Sequence, residues 1–344
     1  MTNLFLGLLI FSFLITSIFV IPFINILYKI KFQRQKQKTL DFQNQHTPIF
    51  DKFHSRKIGT PVGGGALIIL ATTILYFIIF HILKISKIYI SSNYPIILET
   101  QIIFFTFISF GILGLYDDIK KFFGFQKSKF FGLKMHHKFL LQILIATLIS
   151  LMIYFGLKID FIHLPFFGAI TLGWLYIPFC ILIITAFANF FNITDGLDGL
   201  SCGLLMFSLF AFSVLAGTSL DTPISLFLSL WTGALIAFLY FNVFPARLWL
   251  GDVGSLSFGA TFAVIALLLG KIVPLFFIGF LFIVEGASSA LQIFSKKVFK
   301  RKIFPAAPLH LTLQKMGWEE SKIVNRAWLA GIMLAIFGIW LGIN

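Results

Sequence analysis

Five aspartates in this sequence stand where carboxylates do chemistry with phosphates. Asp117 and Asp118 are adjacent and lead into Ile119-Lys120-Lys121. Asp195 and Asp198 fall in the stretch Asn189-x-x-Asn192-x-x-Asp195-Gly196-x-Asp198-Gly199-Leu200, and Asp252 in Gly251-Asp252-Val253-Gly254-Ser255. Taken singly, each is also what a solvated helix end looks like. Together they ask for a cation, because neighbouring carboxylates repel unless a cation or proton sits between them. Mg²⁺ is the natural occupant of such an oxygen-rich site used with phosphates, since it keeps several waters and takes only one or two carboxylates. The flanking glycines permit tight turns and close ligand approach. Lysines and histidines of neighbouring loops supply phosphate-directed cations. The chemistry implied is metal-assisted phosphoryl transfer at a membrane edge, onto or from a lipid.

The elements that must position these residues are apolar. Of 344 residues 58% are hydrophobic, 17% aromatic and only 12% charged, with a mean hydropathy of +0.96. Soluble domains carry about twice that charged share, so a water-soluble globule is excluded. Ten apolar runs are predicted as spans, near 4–28, 64–83, 97–116, 139–157, 168–191, 200–216, 223–243, 255–270, 273–293 and 327–343. The first lacks a basic lead and a small-residue cleavage site and is expected to be retained. The fold class expected is therefore all-α, a polytopic membrane protein of about ten transmembrane helices forming a single domain over 1–344. Of the 27 basic residues, 23 fall in alternate loops and only Lys84, Lys87, Lys158 and Lys271 in the others. This asymmetry predicts cytoplasmic catalytic loops and both termini on the outer side. It also accounts for the net charge of +14 without nucleic acid; anionic membrane lipid is the partner it implies. Cys180 and Cys202 lie inside apolar runs and offer no disulfide framework.

Several blocks together resemble one family, the polyprenyl-phosphate sugar-1-phosphate transferases, over about residues 52–330. They are Arg56-Lys57-Ile58-Gly59-Thr60-Pro61-Val62-Gly63-Gly64, then Leu115-Tyr116-Asp117-Asp118 with Lys121, then the Asn189–Leu200 stretch, and Asn242 ten residues before Asp252. The block Gly317-Trp318-Glu319-Glu320-Ser321-Lys322-Ile323-Val324-Asn325-Arg326-Ala327-Trp328 is most similar to the members that act in peptidoglycan synthesis. The last loop departs both from these members and from the sister enzymes that the resemblance includes, which transfer N-acetylglucosamine-1-phosphate. It reads Ala307-Pro308-Leu309-His310-Leu311-Thr312, so only the first of the three histidines usual in the peptidoglycan members is present.

The resemblance implies an enzyme of the bacterial plasma membrane, with its active site on the cytoplasmic face and Mg²⁺ as cofactor. It implies transfer of phospho-MurNAc-pentapeptide from UDP-MurNAc-pentapeptide to undecaprenyl phosphate, releasing UMP. The reduced histidine motif leaves open a UDP-HexNAc donor for another glycan. A transporter is the reading from a different class, but transporters place their charges at the bilayer midplane, often in inverted repeats. By resemblance Asp252 and Asp118 are the metal residues. Asp117, Asp118, Asp252 and His310 are the catalytic candidates, Asp117 orienting or deprotonating the lipid phosphate. Lys57, Lys121, Lys138, Asn189, Asn192, Asp195, Asp198 and Asn242 are the substrate-binding candidates. For the Asn and Asp residues the plain alternative is capping of a helix break; for the lysines it is the general basic coat of a loop. Glu285, in the ninth run with Gln292 two helical turns on, is expected to be a helix-break partner. The resemblance also allows a homodimer.

Overall fold

The computed structural model describes residues 2–34, 58–88, 90–123, 133 and 135–344. Among these, nine helices are long and apolar enough to cross a membrane, and a bent pair supplies a tenth. They are α1 (Thr2–Lys29), α2 (Gly64–Ile85), α3 (Ile96–Phe123), α4 (Met135–Leu151), α5 (Tyr176–Thr194), α6 (Leu200–Thr218), α7 (Thr222–Asn242), α8 (Gly251–Leu268), the pair α9 (Ile272–Ile278) and α10 (Phe280–Val298), and α12 (Glu320–Ile343). A short helix, α11 (Leu309–Lys315), lies between α10 and α12. Helices are the required solution in lipid, where each backbone polar group must find its partner within the segment.

The bundle is arranged around α8. Its sequence is apolar on every side, the pattern of a helix with no solvent face, and from Val253 to Leu268 every residue is buried. Small residues let the neighbours press on its backbone. Gly65 of α2 meets Gly254, where an added Cβ would stand 2.3 Å from the Gly254 Cα, and Gly259 meets the backbone of Phe187 and Ala188 on α5. By contrast the outward faces of α1 and α12 carry large exposed apolar side chains such as Ile18, Phe19, Leu329 and Met333, as lipid-facing helices do.

Two expectations change. The fifth apolar run does not begin as a helix at 168. Residues Phe161–Leu164 (β1) and Gly168–Thr171 (β2) form an antiparallel hairpin with Leu164 opposite Gly168, and α5 starts only at Tyr176. Gly168 closes its turn at a positive φ of 87°, and β-branched and aromatic residues suit the pleated strands around it. The second change concerns the ninth run, which is not one straight helix but is bent by 75° at Gly279, so Glu285 lies in the second turn of α10, just past the bend.

Candidate active site

The five aspartates sit on or beside helix ends rather than in loops. The third apolar run was expected to stop near 116, but α3 continues to Phe123. Asp117 and Lys121 therefore lie one turn apart on the same helix face. Lys121 Nζ is 3.1 Å from Asp117 Oδ2, 3.9 Å from Asp118 Oδ1 and 2.7 Å from Asp252 Oδ2. Lys138, in the first turn of α4, adds a second ammonium, 3.0 Å from Asp117 Oδ2 and bonded also to Asp252 Oδ2. Asn192, in the last turn of α5, donates to Asp252 Oδ1 at 3.1 Å and to Ser255 Oγ at 2.6 Å. The Leu133 N–H donates to Asp117 Oδ1 at 2.7 Å. Four helices thus bring three carboxylates, two ammoniums and an amide to one point.

Local backbone design makes this convergence possible. Gly251 starts α8 at a positive φ of 79°, a conformation open to glycine, and sets Asp252 in the first helical turn. Asp118 Oδ2 accepts the Val253 N–H at 3.0 Å, so this carboxylate caps the start of α8 as well as facing Lys121. Gly114, one turn before Asp118 on α3, lies directly against that start. A Cβ on it would stand 2.0 Å from the Asp252 carbonyl oxygen. Sequence reasoning missed Gly114 and Ser255, which carry no chemical signal of their own.

Asp195, Asp198 and Asn242 belong to an adjoining network that shapes the turn between α5 and α6. Asp195 accepts from Ser201 Oγ at 2.5 Å. Asp198 is buried, its carboxylate accepts the Ala246 N–H at 3.0 Å, and its own N–H donates to Glu320 Oε1 at 2.7 Å. Asn242 accepts the Gly199 N–H at 3.2 Å and donates to the Leu248 carbonyl at 3.0 Å. Trp328 closes the turn by donating its indole N–H to the Gly199 carbonyl at 3.1 Å. Asn189 bonds Gln142 Oε1 at 2.6 Å and the Thr185 carbonyl at 2.7 Å. Lys57 lies outside the described residues.

His310, in α11, is buried at 1% exposure. Its Nδ1 is 3.0 Å from Glu285 Oε2, and its backbone N–H donates to the same carboxylate at 3.2 Å. The face of α10 that carries Glu285 continues through Gln292, which accepts the Ile303 and Phe304 N–H groups at 3.0 Å, to Ser295, which donates to the Arg301 carbonyl at 2.7 Å. Glu285 is therefore not a helix-break partner but the first rung of a polar face that holds the 299–310 segment. Its signal in the sequence was an ionisable group inside an apolar run, where such groups are costly.

The donor set around Lys121 fits a hard cation. Asp117, Asp118 and Asp252 offer only oxygen, and Mg²⁺ takes one or two carboxylates with water and substrate phosphate completing its shell. Among the described residues no group of three His, Cys, Asp or Glu is arranged to hold a metal ion by itself. Such a donor set suits a cation shared with a phosphate substrate rather than one enclosed in a cage of protein ligands.

Residues 100–270, which hold most of this cluster, match glycosyl transferase family 4. The phospho-N-acetylmuramoyl-pentapeptide-transferase of Staphylococcus saprophyticus subsp. saprophyticus is 36% identical over 295 residues, covering 85% of this chain and 88% of its own. The enzyme of the same name from Staphylococcus aureus is 33% identical with the same coverage.

Proposed function

The chain belongs to the family of the phospho-N-acetylmuramoyl-pentapeptide-transferases, and on that premise we propose that it is the enzyme that moves phospho-MurNAc-pentapeptide from its UDP carrier to undecaprenyl phosphate. The observation that carries the reading is the pair of ammoniums, Lys121 and Lys138, held between Asp117 and Asp252 at the ends of α3, α4 and α8. Phosphoryl transfer asks a protein mainly to align two anionic phosphates and to manage their charge. This site has the groups for both.

An oxygen of the lipid phosphate attacks the phosphorus that bears the sugar; the new P–O bond forms as the anhydride bond to UMP breaks. One anhydride replaces another, so the exchange is near thermoneutral. Lys121 and Lys138 exchange their carboxylate partners for phosphate oxygens. Asp117, fixed by the Leu133 N–H and both ammoniums, orients the lipid phosphate. Asn192 holds Asp252 in place, and Asp118 holds the turn that carries it. Asp252 with Asp118 would hold Mg²⁺, which would supply positive charge to the diphosphate. Direct attack suits the geometry better than a covalent aspartyl intermediate, because every carboxylate here is already engaged by a cation or an N–H. The turn made by Asp195, Gly196 and Asp198 adjoins the cluster and borders the donor. The reading places the cluster at the cytoplasmic face, supported by the asymmetry of basic residues, with both termini outside.

The test is UMP release by purified protein given Mg²⁺, undecaprenyl phosphate and one UDP-sugar at a time. UMP is expected from the MurNAc-pentapeptide donor. Release from UDP-GlcNAc alone refutes the donor assignment, and a phospho-enzyme isolated and shown to be competent refutes direct attack.

A further inference from the structure

We propose that Glu285 is a positioning residue for the transfer, acting through the His310 ring on the turn at Asp195 and Gly196; the proposal rests on the transferase reading above. Glu285 receives two donors from one residue, the backbone N–H of His310 at 3.2 Å and its ring Nδ1 at 3.0 Å. The hydrogen bond from the ring to the carboxylate places a hydrogen on Nδ1, and in the neutral imidazole Nε2 then carries the lone pair. That lone pair faces the α5–α6 turn. A Cβ at Gly196 would stand 2.4 Å from Nε2 and 2.8 Å from Cε1, so the ring lies flush against the Gly196 backbone.

The consequence is a rigid link across three elements. Gln292 and Ser295 fasten the 299–304 segment to α10, and Glu285 fastens α11 to the same face. The His310 ring then transmits the position of α10 to the backbone between Asn192 and Asp198. Asn192 is the residue that holds Asp252. With His310 only 1% exposed, the ring acts here as a wedge with a fixed tautomer. This gives the single surviving histidine of the last loop a job that does not need the two missing ones.

The decisive variant is Glu285→Gln, which keeps the size but replaces one accepting oxygen with an NH₂ donor. Either that donor faces the His310 backbone N–H, or the ring moves its hydrogen to Nε2 against Gly196. The expected result is a fall in kcat for UMP release of roughly 10–100-fold, the range found when an outer-shell partner is lost, with KM for both substrates unchanged. In a His310→Ala background, Glu285→Gln should cause no further loss, since contacting residues that act as one unit are not additive. Gly196→Ala, which leaves Glu285 intact and wedges the ring from the other side, should give the same fall in kcat and serves if Glu285→Gln does not fold. Ring ¹⁵N signals of His310 should show hydrogen on Nδ1 in the wild type. Independent losses in the double variant, a silent Gly196→Ala, or a wild-type ring protonated at Nε2 alone would each overturn the proposal. Should the wild type release no UMP from any donor, the transferase reading fails, whereas the ring signals, read without turnover, still judge the dyad.

Discussion

Replacing Gly114 with alanine should damage catalysis far more than it damages the fold. The added Cβ meets only backbone: the Asp252 carbonyl oxygen at 2.0 Å, its carbon at 2.4 Å and the Val253 nitrogen at 2.6 Å. None of these can rotate away as a side chain would. Relief to the 3.4 Å where ordinary contact begins requires α3 and the start of α8 to part by about 1.4 Å, the difference between 3.4 and 2.0 Å. Overpacking of this kind costs about 1–3 kcal/mol of stability, a few degrees in unfolding midpoint for a chain of this size. The same displacement would carry Lys121 Nζ from 2.7 Å to beyond hydrogen-bond reach of Asp252. A misplacement of about 1 Å in a site that works by alignment can cost about 100-fold in rate. The assay is UMP release alongside thermal unfolding in detergent, with Gly217→Ala as control because nothing stands within 4 Å of a Cβ there. Turnover of Gly114→Ala within a few-fold of the control, with the fold intact, would refute the claim that this close approach sets the site.

Other perturbations separate the roles further. Lys138→Met should leave Asp117 and Asp252 facing each other with one ammonium fewer and lower kcat/KM by about 10²-fold or more, as loss of a charge-stabilising donor does; unchanged UMP release would remove Lys138 from the site. Chelation with EDTA should abolish UMP release and added Mg²⁺ restore it, and full activity in EDTA would exclude a divalent cation. Asp221→Ala removes the side-chain cap of α7, the bond from the Ile224 N–H at 3.0 Å, and should cost about 1 kcal/mol with kcat unchanged; a large fall in kcat would mean that this end of the bundle is coupled to the site.

The spans and the aspartate motifs were legible because both are written in residue type. Runs of apolar residues announce helices in lipid, and Gly-Asp-Val-Gly-Ser announces a turn with a carboxylate. Positions decided by geometry between elements were not legible. Lys121 and Lys138 stood among the substrate-binding candidates by resemblance, but only the continuation of α3 past Asp117 and the packing of α4 against it show that both bridge Asp117 and Asp252. Asp198 and Asn242 have the same residue types as Asp252 and Asn192, yet they bind backbone groups of the 243–250 segment, because the chain happens to return there. Glu285 announced itself by its cost but not by its partner, since His310 lies 25 residues away and nothing in the spacing couples them. The hairpin was absorbed into a span because Gly168–Thr171 is as apolar as the helix after it.

The cap that Asp118 places on α8 has one more consequence. An α-helix carries the equivalent of about half a positive charge at its N-terminus, the sum of its aligned peptide dipoles. The start of α8 directs that end at Asp118, Asp252 and whatever anion joins them. This part of the field is made of backbone, so no change of pH titrates it and no side-chain substitution removes it. Variants stripped of both Lys121 and Lys138 should therefore lose anion binding to three uncompensated carboxylates, yet keep Asp118 docked on the Val253 N–H, the part of the site built from peptide groups alone.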